Sequence, residues 1–187
     1  MNVAIYCGSS FGNDKIYEES TKLLAQKLAQ KDLNIVYGGS VQGLMGIISN
    51  ESLKFNNKVT GVITYHLKDK EIENKNITKI YTVETINQRK EKMEELSDAF
   101  IAIPGGYGTL EEIFDVISAA QIGYHKKPCA FLNINGYYDH LVKFLENCAK
   151  EGFINKTYVD MLIVSEDIDE IIEKILTYKA PKAKWEK

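Results

Sequence analysis

Pro104-Gly-Gly-Tyr-Gly-Thr-Leu-Glu-Glu112 lies between two unlike runs of sequence. Before it, Ala99-Phe-Ile-Ala-Ile103 is apolar throughout and predicts a buried parallel strand. After it, an amphipathic run from Thr109 to about Gly123 predicts a helix. A strand, a glycine-rich turn and a helix N-terminus together make an anion site. The glycines let the backbone turn sharply and approach a ligand, and the first helical turn presents unpaired amides at the positive end of its dipole. The spacing is not that of the P-loop, because no Gly-Lys-Ser/Thr follows, nor that of the dinucleotide fingerprint Gly-x-Gly-x-x-Gly. The glycines alone predict a phosphate or a carboxylate near this turn and nothing narrower. Thr109-Leu-Glu-Glu112 has two readings. It matches the capping box Ser/Thr-x-x-Glu, in which the Glu satisfies an orphan amide, and the pattern by itself favours that. The other reading makes Glu112 a working carboxylate beside the anion cradle.

Outward from this turn, apolar runs predict strands at Val3 to Cys7, Leu33 to Tyr37, Val59 to Thr64, Ile77 to Val83, Cys129 to Ile134 and Met161 to Val164. Between them lie helical stretches. One is capped by Asn13 or Asp14 and runs through Tyr17, Leu24 and Leu28, and one is led by Gly43-Leu-Met-Gly46. Others cover Thr85 to Ser97, Tyr137 to Lys150 and Ile168 to Thr177. His66 to Asn76 is charged and aperiodic, a surface excursion. Residues 1–178 form one domain and 179–187 a loose basic tail. Strands apolar throughout and alternating with helices predict an α/β fold, a doubly wound, Rossmann-like parallel sheet covered on both faces. In such sheets ligands bind beyond the carboxyl ends of the strands. Three glycine-rich turns fall there: Gly8-Ser-Ser10, Gly38-Gly-Ser40 and Gly105-Gly-Tyr-Gly108. Together they predict a nucleotide-sized phosphate ligand, with Ser9, Gly39, Gly43 and Met45 on its rim. The plainer alternative is three tight βα turns.

Thr85-Ile-Asn-Gln-Arg-Lys-Glu-Lys-Met-Glu-Glu-Leu-Ser97 breaks the pattern. Its apolar stripe runs through Ile86, Met93 and Leu96, and helical spacing puts Arg89 and Lys90 on that same face. Inward cations either snorkel and pair with a carboxylate at the core's edge, or face a cavity holding an anion or Glu112. A buried charge without a partner costs several kcal/mol, so something compensates it. The cavity is the expectation adopted here.

Composition narrows the class. A chain of 187 residues with 44% hydrophobic content can bury a core. Its net charge of −3 speaks against nucleic acid as the main partner, since phosphate backbones demand clustered Lys and Arg. Cys7, Cys129 and Cys148 are odd in number, widely spaced and free of Cys-x-x-Cys or Cys/His clustering, so no metal site is expected. That cysteine usage fits a reducing cytoplasm. The N-terminus lacks a basic region and turns polar too early for a signal peptide, and no apolar run approaches the ~20 residues of a membrane span.

Gln88-Arg-Lys90 followed by Ser97-Asp-Ala-Phe-Ile-Ala-Ile-Pro-Gly-Gly-Tyr-Gly-Thr-Leu-Glu-Glu112 closely resembles the LONELY GUY (LOG) family. Its members are cytokinin riboside 5′-monophosphate phosphoribohydrolases, often labelled lysine decarboxylases. Tyr6-Cys-Gly-Ser-Ser10, Gly43-Leu-Met-Gly46, Gln121-Ile-Gly-Tyr-His125 and Asn133-Ile-Asn-Gly-Tyr-Tyr138 extend the likeness over nearly the whole chain. The resemblance implies hydrolysis of the N-glycosidic bond of a nucleoside 5′-monophosphate, giving free base and ribose 5-phosphate without metal or cofactor. It puts the catalytic arginine at Arg89 and the catalytic glutamate at Glu112. It further implies a substrate site lined by Glu71, Lys90, Gly105, Gly106, Tyr107, Gly108, Thr109, Leu110, Glu111 and Ser118. It also implies a homodimer. Two departures bear on the base: Ile86-Asn87 stands where the family commonly has Met-His, and Ser40 where a third glycine is common. AMP is therefore an expected substrate beside a prenylated cytokinin nucleotide. The rival class is a non-catalytic nucleotide or molybdenum-cofactor carrier on the same fold, which has no need of an Arg89/Glu112 pair.

Overall fold

The computed structural model describes residues 1–68, 70 and 73–186. Its elements run β1 (Asn2–Tyr6), α1 (Ile16–Gln30), β2 (Asn34–Tyr37), α2 (Gly43–Lys54), β3 (Val59–Thr64), α3 (Tyr65–Lys68), β4 (Lys79–Val83) and α4 (Ile86–Leu96). Then come β5 (Ala99–Ala102), α5 (Tyr107–Ile122), β6 (Cys129–Leu132), α6 (Asp139–Lys150), α7 (Lys156–Asp160), β7 (Ile163–Ser165) and α8 (Ile168–Leu176). The strands form one sheet in the order β4-β3-β2-β1-β5-β6-β7, and every pairing is parallel.

Strand periodicity explains why the sheet is covered twice. Val3 and Ile5 of β1 point into one core and Ala4 and Tyr6 into the other, because side chains alternate across a strand. In β5, Ile101 joins the first core and Phe100 the second. The first core is closed by Leu24 and Leu28 of α1, Ile48 of α2 and Ile171 of α8. The second is closed by Met93 of α4 and Ile113 and Val116 of α5. The central strands are buried on both faces, so they read as apolar runs, as the sequence predicts, while the edge strand β4 is only half-buried.

Three local expectations need correction. The capping box at Thr109 does not form: α5 begins two residues earlier, with Gly106 as its N-cap and no side chain capping it. A capping box forms instead on α4, where the Thr85 side chain accepts from Gln88 N–H and Gln88 Oε1 accepts from Thr85 N–H. Within α4, Ile86 is exposed and does not join the apolar stripe. The excursion after β3 is partly tethered. Asn74 is buried, its N–H donates to the Gly39 carbonyl (2.9 Å) and its amide to Ser49 Oγ (3.1 Å).

The C-terminal segment, read as loose, docks on the far end of α5. Gly123 (φ 91°) closes that helix, with Gly123 N–H bonding Ala120 and Tyr124 N–H bonding Ala119. Lys184 N–H donates to the Gln121 carbonyl (3.0 Å). Beneath lies His125, buried against the Phe100 ring (5.4 Å), with Nδ1 accepting from Lys127 N–H (3.1 Å). Burial holds the His125 pKa below its usual 6.5, and the Lys127 charge adds to this, while Glu94 and the Val116 carbonyl oppose it. The unfolded chain therefore takes up this proton first as pH falls. Stability contributed by His125 is complete above about pH 6.5 and lost progressively below it. His125→Gln should flatten the fall in Tm between pH 7.5 and 5.5, measured by thermal denaturation; an unchanged slope would refute the assignment.

Candidate active site

The order of strands reverses direction between β1 and β5. From β1 the chain winds outward to β2, from β5 it winds the other way to β6, and the crevice opens where the two turns diverge. The turns there are tied together. Gly8 N–H donates to the Pro104 carbonyl (3.1 Å), and Leu44 N–H at the head of α2 donates to the Gly8 carbonyl (3.1 Å). Contact is too close for side chains: a Cβ on Gly105 would stand 2.8 Å from Gly8 N. Gly43 (φ 53°) likewise lies against the Ser9 backbone. Above these turns is a cavity of about 310 Å³, lined by the β1 and β2 ends, α4 and the first turn of α5.

Arg89 and Glu112 meet on its floor. Arg89 Nη1 donates to Glu112 Oε1 (2.5 Å) and Nε donates to the Val62 carbonyl (2.9 Å). Both side chains are about nine-tenths buried. The guanidinium needs Gly38: a Cβ there would overlap Arg89 Nη2 and stand 2.7 Å from Met45 Sδ. Contact with a cation favours the ionised form of a carboxylate. The arrangement thus places a carboxylate, paired with a guanidinium, in the same cavity as the first turn of α5. Cys7 also lines the cavity, but burial, reinforced by Glu112, pushes its thiol well up, so it is not a ready nucleophile.

One residue along on each helix, a second ion pair stands outside the first. Lys90 Nζ donates to Glu111 Oε1 (2.6 Å) and lies 3.2 Å from Asp115. The Glu111 hydrogen bond is the main reason its pKa is raised. Ser9, Met45, Gly106, Tyr107, Gly108 and Thr109 line the cavity as expected. Gly105 and Gly43 sit behind the turn as packing glycines.

Other expected site residues lie elsewhere. Gly39 (φ 80°) turns its Cα toward Ile63 and β3, leaving Gly38 to face the cavity. Leu110 packs against the second core. Ser118 is exposed about two turns further along α5. Glu71 falls outside the described residues. Sequence reasoning missed Gly38 as the residue that admits the guanidinium; its signal was its place at the end of β2, beside an inward arginine. Among the described residues, no group of three or more His, Cys, Asp or Glu side chains is placed to hold a metal ion.

The fold and its switch-point cavity define a Rossmann-like α/β protein. Solved structures share that architecture: a molybdenum cofactor binding protein from Rippkaea orientalis has a TM-score of 0.70 at 19% identity, covering 94% of this chain and 95% of that one. The molybdenum cofactor carrier protein of Chlamydomonas reinhardtii has a TM-score of 0.71 at 15% identity, covering 94% and 97%. At such identities the likeness is one of fold. Sequence goes further. Residues 45–175 match a family model described as possible lysine decarboxylase. The probable cytokinin riboside 5′-monophosphate phosphoribohydrolase LOGL2 of Oryza sativa subsp. japonica is 40% identical, over 98% of this chain and 78% of its own length. LOG5 of Arabidopsis thaliana, a cytokinin riboside 5′-monophosphate phosphoribohydrolase, is 38% identical over 98% and 83%. The chain belongs to this LOG family.

Two outcomes follow from the geometry. Arg89→Met leaves a buried carboxylate without its cation and should cost about 3–5 kcal/mol in urea unfolding, part of it recovered by adding Glu112→Gln. Gly108, in the first turn of α5, has a negative φ, and a Cβ there would meet nothing within 4 Å. Gly108→Ala should therefore stabilise the free protein by about 0.5–1 kcal/mol while weakening any ligand seated on that turn. Destabilisation, or unimpaired binding of phosphate-bearing ligands, would show that the glycine is not kept open for a ligand.

Proposed function

We propose that this protein is a nucleoside 5′-monophosphate phosphoribohydrolase, cleaving the N-glycosidic bond to release free base and ribose 5-phosphate. The observation that carries this reading is the buried Arg89–Glu112 pair in a cavity that the first turn of α5 also lines. The names of its relatives agree with it. The 5′-phosphate rests on the amides of Gly105 to Thr109, where a helix N-terminus favours negative charge. That anchors the ribose with C1′ over Glu112. Departure of the base leaves oxocarbenium-like charge at C1′, which the fixed carboxylate stabilises while orienting water for attack. Arg89 keeps Glu112 ionised and aligned. The base extends toward Leu67 and Ile86 at the mouth, so these side chains discriminate adenine from a prenylated adenine.

Tyr107, Glu111, Asp115 and Ser118 are exposed along α5. A homodimer that covers it would bring the Ser118 region of one copy toward the site of the other. Three free cysteines, two of them buried, fit the cytoplasm as its place of work. Decarboxylation by a Schiff-base lysine needs a neutral amine. Lys90 is held cationic by Glu111 and Asp115, and Lys126, beyond the other end of α5, pairs with Glu186.

A chromatographic assay for free base and ribose 5-phosphate, run on AMP and isopentenyladenosine monophosphate, tests the reading. Wild type should release base from at least one of them. Glu112→Gln and Arg89→Ala should each lose about 10²-fold or more in kcat. Base release that survives in Glu112→Gln would sink the assignment, and binding without any release would favour the carrier. Light scattering should give a dimer mass; a monomer would remove the second copy from the site.

A further inference from the structure

Tyr137 and Tyr138 both reach from the β6–α6 connection to the glycine-rich turn. The connection is fixed by its own geometry: Asn135 and Gly136 take consecutive left-handed conformations (φ 52° and 66°), and Asn133 Oδ1 accepts from Tyr138 N–H (2.6 Å). The Tyr138 hydroxyl, fully buried, donates to the Ile103 carbonyl (2.9 Å). The Tyr137 hydroxyl donates to the Gly105 carbonyl (2.6 Å). Tyr138 does core work, with its ring stacked edge-on to Phe131 at 4.9 Å. Tyr137 is 44% exposed, touches Tyr17 edge-on at 6.0 Å, and lines a second cavity of about 290 Å³ that shares Gly8, Ser9 and Gly106 with the first.

The Gly105 carbonyl and the Gly106 N–H are the two ends of one trans peptide, so they point in opposite directions. Holding the carbonyl toward Tyr137 turns the N–H away from it, at a residue that lines the catalytic cavity as well as the one beside Tyr137. The peptide joins two glycines, the pair least able to hold its own orientation. Gly105 cannot be replaced by a stiffer residue, because a Cβ there would stand 2.8 Å from Gly8 N. Orientation has to come from outside the turn. We infer that Tyr137 is a positioning residue that locks the Gly105–Gly106 peptide with its N–H aimed at the substrate phosphate. This inference rests on the phosphate-cradle reading above.

Tyr137→Phe removes the hydroxyl and keeps the ring. Against AMP it should raise KM about 3–10-fold, the worth of one hydrogen bond, with a smaller change in kcat. Inhibition by ribose 5-phosphate and by inorganic phosphate should weaken by the same factor, and binding of adenosine, which has no phosphate, should not change. Tyr138→Phe is the control: it should lower Tm and leave the ratio of phosphate-bearing to phosphate-free affinity where it was. If Tyr137→Phe matches wild type against all four ligands, or loses adenosine and AMP alike, the positioning role is wrong while the hydrolase reading stands. If wild type binds none of AMP, ribose 5-phosphate and inorganic phosphate, the cradle itself is wrong and both fall.

Discussion

The buried pairing of Arg89 with Glu112 ties together four elements of the fold. Taking a guanidinium and a carboxylate out of water costs several kcal/mol for each, and their mutual attraction offsets that only in good geometry. The fold supplies that geometry from four places. Arg89 comes from α4, Glu112 from α5, the Val62 carbonyl from β3, and the room for the guanidinium from the missing side chain of Gly38 at the end of β2. A shift of either helix along the sheet would separate the charges and leave each buried alone. The second pair, Lys90 with Glu111, repeats the contact one residue along on both helices, but Glu111 is half-exposed. Solvent screening leaves such a pair worth about 0–1 kcal/mol. The inner pair therefore sets the relation of α4 to α5, and the outer pair decorates the rim.

The two helices that carry these charges begin in opposite ways, and the difference bears on function. The N-terminus of α4 is closed by its own side chains, with Thr85 and Gln88 satisfying each other's backbone amides. The N-terminus of α5 has a glycine for its cap, which offers no side chain to its amides. A helix end left open costs stability unless something else satisfies it. Sequence pattern could not tell the two apart. Thr109-x-x-Glu112 and Thr85-x-x-Gln88 both fit the capping-box formula, and only the true start of each helix decides which is a cap. Because α5 starts at Tyr107, Thr109 is already inside the first turn and Glu112 faces Arg89.

The parallel sheet and the glycine-rich turns at its carboxyl edge were legible because they depend on local apolar runs and on the residues that end them, whereas the strand order that sets the switch point comes from pairing between distant segments. The inward Arg89 was legible as a violation of the helical stripe. What the sequence left hidden depends on contacts between distant segments or on single backbone angles. Which glycine of the Gly38-Gly39 turn faces the cavity follows from φ 80° at Gly39, which sends that residue toward β3. The docking of the C-terminal segment depends on Gly123 leaving room for Ala183, 60 residues later, and composition reads that segment only as basic. Ser118 sits on the same chemical stretch as the cavity residues, yet helical rise carries it about two turns away from Glu111.

Glycines in this crevice stand in two physical settings. At Gly8, Gly43 and Gly105 a side chain would press on neighbouring backbone, so packing within the chain accounts for the residue. At Gly106 and Gly108 nothing within the described residues comes close to where a Cβ would be. Packing gives no reason for glycine there; Gly108 lies in the helical turn, where glycine costs about 0.5–1 kcal/mol relative to alanine, whereas Gly106 is the N-cap, a position that itself favours glycine over alanine. Neither position has a positive φ that would require it. At Gly108 the remaining constraint is access to the backbone from outside. An anion drawn to the α5 amides needs its oxygens close to N–H groups, and a methyl group at either position would hold it off. The crevice is thus built from inner glycines that bring three turns together and outer glycines that keep the approach clear. The Arg89–Glu112 charge lies beneath the point where both sets meet.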